Sequence, residues 1–151
     1  MFTSIMDTLE IDKKITVPGF LGAFAYDDLP ARRDDNFSLV INTEAETEPG
    51  DHWVALVKKD KLIYFLDSYG RNVKDPTFPS GFKEAVLQYL GNSKWKFNPL
   101  LLQQFTSNVC GDYCVYFIQE LDKSTLTKAL SIFSDNLSKN DRLVVEYVKN
   151  M

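Results

Sequence analysis

Two residues of this chain could together perform covalent chemistry: Cys110 and His52, the only histidine in the sequence. A cysteine attacks carbonyl carbon as the thiolate, and an unperturbed thiol with a pKa of ~8.5 forms little thiolate at neutral pH. An imidazole partner or a helix N-terminus lowers that pKa and activates the sulfur. The sequence offers both, so it predicts a cysteine nucleophile with His52 as its base.

A carboxylate could orient the His52 imidazole, and Asp67 is the candidate. If Lys59 and Asp60 form the tip of a two-residue hairpin, His52 lies directly opposite Asp67, with Cβ atoms ~4.5–5.5 Å apart. The carboxylate would then accept the imidazole N–H, fix its tautomer and stabilise the imidazolium. Lys-Asp is not the Asn-Gly pair that such turns prefer, and a longer loop would shift this register.

Amide groups around Cys110 could stabilise an oxyanion. Cys110 precedes an apolar stripe with helical spacing, so we expect it at or near a helix N-terminus, where the dipole favours a thiolate. Gly111 would let a substrate carbonyl approach the backbone closely, with the Cys110 N–H as one donor. A second donor would come from the side-chain amide of Gln103 or Gln104. Cys114, one helical turn later on the apolar stripe, is predicted to pack in the core.

Short segments rich in β-branched and aromatic residues predict a sheet in the middle of the chain. The predicted strands are residues 38–42, 52–58, 62–67 and 94–97. Apolar spacings of three and four predict helices over 82–90, from 109 onward, and around 143–148. Nearer the N-terminus, residues 4–9 are predicted as a short helix and 20–24 as an irregular apolar segment. The predicted fold class is α+β.

The composition is that of a single globular domain. A chain of 151 residues with 44% hydrophobic and 13% aromatic content can bury one core, so we predict one domain over residues 1–151. Seventeen Lys plus Arg against 21 Asp plus Glu give a net charge of -4, which argues against a nucleic-acid-binding surface. Two cysteines and one histidine are too few for a zinc site or a disulfide framework, so we predict no metal or other cofactor.

The expected location is intracellular. Residues 1–10 lack a basic region followed by an apolar one, and no apolar run approaches the ~18 residues of a membrane span. The cysteine usage fits a reducing compartment. The sequence therefore predicts a protein with no membrane partner.

The order histidine, acid, glutamine, cysteine resembles that of the adenovirus-type cysteine proteases and, more distantly, of the ubiquitin-like-protein proteases that share their fold. The resemblance covers most of the chain, through segments 20–24, 40–43, 50–56, 66–70 and 103–114. It implies a papain-like active site in permuted order (His, Asp, Gln, Cys), on a central mixed or antiparallel sheet flanked by helices.

The resemblance also implies a role for each candidate residue. Cys110 would be the nucleophile, His52 the base and then the acid, and Asp67 the orienting residue. A glutamine would occupy the oxyanion hole: Gln103, seven residues before the cysteine, matches the adenovirus branch, and Gln104, six before, the ubiquitin-like-protein branch. We favour Gln103 because Ser107 also resembles the adenovirus-type pattern, and Gln104 remains the alternative.

The chain departs from the adenovirus enzymes in the features used for activation. Those enzymes are activated by DNA and by a peptide that forms a disulfide with a cysteine well before the nucleophile. Here no cysteine precedes Cys110 and the chain is acidic, so neither activator is carried over and any activating peptide or partner is left unspecified. The chain is also shorter, resembling proteases of virophages and virus-like mobile elements. That likeness implies a monomer that processes capsid or other virion precursors, in the cytoplasm or nucleus of an infected cell or in the virion.

The thiolate, imidazole and carboxylate set supports several acyl transfers. The first hypothesis is a cysteine endopeptidase acting on precursor polypeptides. The second is an isopeptidase that removes ubiquitin-like modifiers by the same chemistry. A related acetyltransferase would need a coenzyme A site, for which the sequence shows no basic cluster, and a catalytically inactive binding module would not need all four roles.

Overall fold

The computed structural model describes residues 7–45 and 52–151 of the chain. Within these residues, five strands form one mixed sheet and five helices flank it, which confirms the predicted α+β class. The strands are β1 (Phe20–Ala25), β2 (Phe37–Asn42), β3 (Trp53–Lys59), β4 (Leu62–Leu66) and β5 (Lys94–Phe97). The helices are α1 (Thr8–Lys14), α2 (Ser80–Leu90), α3 (Cys110–Lys123), α4 (Leu126–Leu130) and α5 (Leu137–Lys149). None of the described helices has the length and apolar character needed to cross a membrane.

The strands lie side by side in the order β1-β2-β3-β4-β5. The three central strands pair antiparallel, whereas β1 and β5 run parallel to their neighbours. Strands β2 to β5 agree with the predicted strands to within one residue at each end, because short runs rich in β-branched and aromatic residues, bounded by turn residues, are strong signals for strands. The three helices predicted from spacing are also confirmed, as α2, α3 and α5.

The N-terminal part differs from the prediction. Residues 20–25 form a strand rather than an irregular segment; Gly22, with φ +127°, and a register shift between Phe20 and Ala23 interrupt the alternation that would have revealed it. Helix α1 begins later than predicted, where the side chain of Asp7 accepts the N–H of Glu10 at 2.9 Å. Residues 4–6 of the predicted helix lie outside the described residues. Helix α4 has five residues, too few for a periodic signal.

The β3–β4 hairpin has a different register from the predicted one. Lys59 pairs with Leu62, so the two turn residues are Asp60 and Lys61 rather than Lys59 and Asp60. Both turn residues have positive φ, 52° and 68°, as in the type I′ turn whose twist matches that of the flanking strands. The predicted two-residue length is confirmed, and the predicted position is wrong by one residue.

Two apolar cores cover the two faces of the sheet. Alternate side chains of β2 and β3 point to opposite faces, so Leu39 and Leu56 pack with the α2 side, while Val40 and Ala55 pack with the α3 side. Helix α3 is buried from its first residue to Ile118, with polar and apolar positions alike covered. Its N-terminus is therefore held firmly against the body of the protein.

Candidate active site

The predicted site residues meet around one cleft of about 470 Å³. His52 directly precedes β3, and Asp67 directly follows β4, so both lie at the same end of the hairpin. Cys110, the first residue of α3, reaches this cleft from the helical layer. His52 and Cys110 line the cleft, while Asp67 is fully buried behind the imidazole.

His52 is held between a carboxylate and an aromatic ring. Its Nε2 lies 2.6 Å from Oδ1 of Asp67, and its backbone carbonyl accepts the N–H of Thr43 at 2.9 Å. The observed strand register, continued past the strand ends, places Tyr69 opposite His52 instead of the predicted Asp67. The Tyr69 ring stacks on the imidazole, with centroids 4.9 Å apart and an interplanar angle of 16°. Asp67 is the diagonal neighbour on the same face, still within reach of a side chain as long as histidine.

Asp67 is a buried carboxylate with a cation on each oxygen. Oδ1 faces His52, and Oδ2 accepts from Nε of Arg71 at 2.7 Å and from its backbone N–H at 3.2 Å. Burial opposes ionisation, but the hydrogen bonds and charges of His52 and Arg71 outweigh it and lower the pKa of Asp67 below its ordinary value. The carboxylate is therefore ionised at neutral pH.

His52 is protonated at neutral pH, although it is buried. Burial alone would lower the pKa of the imidazole. Hydrogen bonds with Asp67 and with the Cys110 thiol, and the negative charges of both, instead raise the pKa of His52 from 6.5 to about 9. Because Nε2 is engaged by Asp67, Nδ1 is the ring nitrogen left for Cys110. The imidazole thus bridges the carboxylate and the sulfur.

The two cysteines lie in different environments, as predicted. Cys110 opens a helix of 14 residues whose N-cap residue, Val109, makes no side-chain capping bond. The first N–H groups of a helix have no intrahelical acceptor, so those of Cys110 and Gly111 are available at the cleft wall that these residues form. Cys114 is 1% exposed, and burial followed by the charge of Cys110 raises the pKa of its thiol well above the ordinary value. Cys114 is a core residue that stays protonated.

Gln103 has a fixed side-chain amide at the edge of the cleft. The Ser68 hydroxyl donates to its Oε1 at 2.5 Å, and its Nε2 donates to the carbonyl and the hydroxyl oxygen of Ser107 at 3.1 and 3.2 Å. Gln103 and Ser107 both line the cleft, whereas Gln104 is not among the described residues that do so. Of the two predicted glutamines, the buried Gln103 is therefore the one that lies at the cleft with Cys110 and His52.

Sequence reasoning missed the residues that hold Asp67 and its turn. Arg71 carried one weak signal, a basic residue four positions after the candidate acid. Asn98 carried none, yet it is fully buried after β5 and donates from Nδ2 to the Asp67 carbonyl at 3.0 Å. Gly70, with φ +76°, lets the backbone of Leu100 pass so closely that an added Cβ would lie 2.6 Å from its carbonyl carbon. These contacts tie the loop after β5 to the loop after β4.

The similarity of this chain to known proteins was found among solved structures. No family model and no curated protein matches the chain. Among solved structures, the chain is similar to the crystal structure of the Se-Met ASFV pS273R protease, with 19% sequence identity and a TM-score of 0.44. The match covers 90% of this chain and 50% of that one, so this chain spans half the length of that protease. At this level of similarity, the function has to be argued from the geometry of the cleft.

Proposed function

We propose that this protein is a cysteine endopeptidase that uses Cys110 as nucleophile, His52 as base and then acid, and Asp67 to orient the imidazole. The observation that carries the proposal is a single buried imidazole in contact with both an ionised carboxylate and the thiol at the start of a buried helix. This is the arrangement that activates a cysteine at neutral pH. Gln103 and the Cys110 N–H form the oxyanion hole, for which the Gln103 Nε2 gives up one of its two contacts with Ser107.

Each step of the proposed reaction is assigned to one of these groups. The Cys110 thiolate attacks the scissile carbonyl carbon, and the developing oxyanion is stabilised by the Cys110 N–H and the Gln103 amide. The intermediate collapses with cleavage of the C–N bond as His52 gives its proton to the leaving amine. Water, deprotonated by His52, then attacks the thioester and releases the acid and the thiolate.

Loss of one oxyanion donor costs about 10²–10³-fold in rate, so Gln103→Ala should lower kcat by this amount.

The substrates are protein chains. The cleft has aromatic walls that include Trp53, Tyr69 and Phe105, and its volume suits a side chain and the adjoining backbone of an extended peptide. The likeness of the sequence motifs to adenovirus-type proteases supports a capsid or other virion precursor as the natural substrate. An isopeptidase would use the same reacting groups, and modifier conjugates are therefore included in the test below.

Alkylation of the purified protein by iodoacetamide across pH tests the nucleophile without a known substrate. In the wild type, Cys110 should react rapidly below pH 7 because its thiolate is paired with the His52 imidazolium. His52→Ala should slow labelling at pH 6 by on the order of 10–100-fold, since an unpaired thiol is less than about 1% thiolate there. Cys114→Ala is the matched control and should leave the rate unchanged. Peptide mapping identifies the labelled residue.

Hydrolysis of peptide libraries and of ubiquitin-like conjugates then identifies the reaction. Cys110→Ala and His52→Ala should abolish cleavage of whichever substrate the wild type accepts. Preference for linear peptides supports the endopeptidase, and preference for conjugates would replace it with the isopeptidase. Undiminished hydrolysis by Cys110→Ala, or labelling of wild-type Cys110 at the rate of an ordinary thiol, would refute the proposal.

A further inference from the structure

We propose that Arg71 is a positioning residue of the catalytic site, which holds the second oxygen of Asp67 and sets the acid limit of Cys110 reactivity. The inference rests on the proposed function and adds a fourth ionic member to the Cys110, His52 and Asp67 set. Neither the sequence motifs nor the comparisons assign a role to this residue.

The contacts of Arg71 determine where the Asp67 carboxylate points. Two donors of the same residue, the side-chain Nε at 2.7 Å and the backbone N–H at 3.2 Å, bind Oδ2. Because Oδ2 is fixed on one side, Oδ1 is directed toward Nε2 of His52. A carboxylate with two rigid donors on one oxygen has little freedom to rotate away from the imidazole.

Arg71 itself is held by the segment that follows it. Its guanidinium carbon lies 3.9 Å from the centroid of the Phe78 ring and 5.5 Å from that of Tyr69. Its Nη1 donates to Oγ1 of Thr77 at 3.2 Å, and Thr77 is in turn bound to Asp75 through its N–H and its hydroxyl. The side chain is only 22% exposed. The Arg71 guanidinium is therefore packed against two rings and hydrogen-bonded on two sides, which holds the side chain in one position.

The Arg71 guanidinium also affects the net charge of the site. The titratable groups that interact with Asp67 are His52, Arg71, Tyr69, Asp75 and Cys114. Burial raises the pKa of Tyr69 to about 12 and that of Cys114 well above its ordinary value, so both are neutral. In the proposed mechanism the Cys110 thiolate, the His52 imidazolium and the Asp67 carboxylate sum to one negative charge, which the Arg71 guanidinium balances. The Asp75 carboxylate, bound to Thr77, is a further anion outside this set.

Removal of Arg71 would therefore strengthen proton binding by the whole cluster. A fixed positive charge opposes protonation of every group around it, and an opposite charge at contact distance typically lowers a carboxyl pKa by ~1–3 units. Without it, the Asp67 carboxylate takes up a proton at higher pH, and the His52 imidazolium beside Cys110 then lacks the anion that stabilises it. The acid limit of Cys110 reactivity should then move upward, opposite to the direction expected if Arg71 merely repelled the His52 imidazolium.

The test is the pH profile of Cys110 alkylation by iodoacetamide, a neutral reagent, in the full-length protein. Arg71→Met should move the acid limb upward by about one pH unit or more. Arg71→Lys keeps the charge and loses the planar Nε contact, so it should give a smaller shift. Arg33→Met is the matched control, because Arg33 makes a similar two-point contact with Asp35 on the exposed surface. It should reproduce the wild-type profile.

Several outcomes separate this inference from the proposed function. Wild-type and Arg71→Met profiles that coincide in folded protein would overturn the positioning role and leave the nucleophile intact. A raised KM for peptides with an unchanged alkylation profile would also overturn it, because Arg71 would then contact substrate. If Arg71→Met does not fold, Arg71→Lys is used instead. An upward shift of its acid limb supports the positioning role, and a profile that coincides with the wild type overturns it. Ordinary thiol behaviour in the wild type itself would count against the proposed function instead.

Discussion

At the scale of single residues, the site depends on a histidine that keeps its proton inside the protein. Asp67 and Cys110 raise the pKa of His52 to about 9 against the effect of burial. The imidazole is thus already protonated in the resting state, and in the proposed mechanism this proton goes to the leaving amine. Arg71 donates from Nε to Asp67 and is the cation that we propose balances the negative charge of the site.

A raised pKa in the folded state predicts a pH dependence of stability. The contribution of His52 is fully present below its unfolded pKa of ~6.5 and is lost as pH rises from there through about 9. The free energy of unfolding of the wild type should fall over this interval by more than that of His52→Gln, which cannot titrate. Urea titrations at pH 6, 7.5 and 9.5 measure both. Parallel curves for the two proteins would show that the imidazole has an ordinary pKa.

At the scale of elements, α3 joins Cys110 to the turn end of the β3–β4 hairpin. Cys110 begins the helix, and at its C-terminal end Nζ of Lys59 donates to the carbonyls of Leu121 and Ser124 at 2.7 and 2.8 Å. The last carbonyls of a helix have no intrahelical donor, so a lysine in this position stabilises the end of the helix. The hairpin therefore fixes α3 at one end through Lys59 and contacts its reacting end through His52.

Removing the Lys59 ammonium should loosen this connection. Lys59→Met keeps most of the apolar side chain and loses both hydrogen bonds, and we expect a loss of about 1–3 kcal/mol of unfolding free energy. The matched control is Lys58→Met, since Nζ of Lys58 donates to a single exposed carbonyl, that of Asp34. Its loss should be smaller. Denaturant midpoints give the loss of unfolding free energy for both variants when the denaturant dependence of that free energy is unchanged. Equal losses would contradict a specific role for the two Lys59 hydrogen bonds.

The hairpin also shows how far the sequence predicts an element. Strand positions follow from short runs of β-branched and aromatic residues, but neither Lys59-Asp60 nor Asp60-Lys61 is a strong turn sequence, so the turn could not be placed to the residue. Moving a two-residue turn by one position moves every cross-strand partner by two. Side chains two apart share a face of the sheet. The contact between His52 and Asp67 therefore survives an error in the register that predicted it.

At the scale of the whole molecule, the C-terminal helix holds the segment that carries Gln103. Nδ2 of Asn140, in α5, donates to the carbonyl of Leu102 at 3.2 Å. The hydroxyl of Tyr113, in α3, lies 3.1 Å from the same carbonyl and 2.8 Å from Oδ1 of Asp141. Asn140, Asp141 and Tyr113 are fully buried. Leu102, the residue before Gln103, is thus anchored to two helices by buried hydrogen bonds.

Tyr113→Phe tests this anchoring. The substitution leaves a buried carboxyl with one partner fewer, and we expect it to cost about 1–3 kcal/mol of stability and to lower kcat more than it raises KM. Tyr147→Phe removes a comparable hydroxyl, bound to Glu120 at 2.6 Å on the half-buried side of α5, and is the control. It should leave kcat unchanged. Unchanged kcat in folded Tyr113→Phe would mean that the anchor serves stability alone.

The long-range contacts are the part that the sequence could not supply. The class, most elements and the candidate residues Cys110 and His52 follow from residue types and spacing, which are local signals. Asn98 and Tyr113 act on residues far away in the sequence or on another element, and single buried polar side chains have no periodicity that marks their partners. The choice between Gln103 and Gln104 likewise depends on which amide the fold turns toward the cleft.

The stacking of the protein's only histidine on Tyr69 has a consequence for spectroscopy. In a chain of 151 residues, the imidazole carbon-bound protons of His52 give one pair of nuclear magnetic resonance signals that needs no assignment. The ring current of a tyrosine stacked 4.9 Å away shifts that pair from the positions of a solvated histidine. Any peptide, inhibitor or activating partner that enters the cleft or disturbs the stack would therefore be reported directly by one pair of resonances, in untagged protein and before any substrate is known.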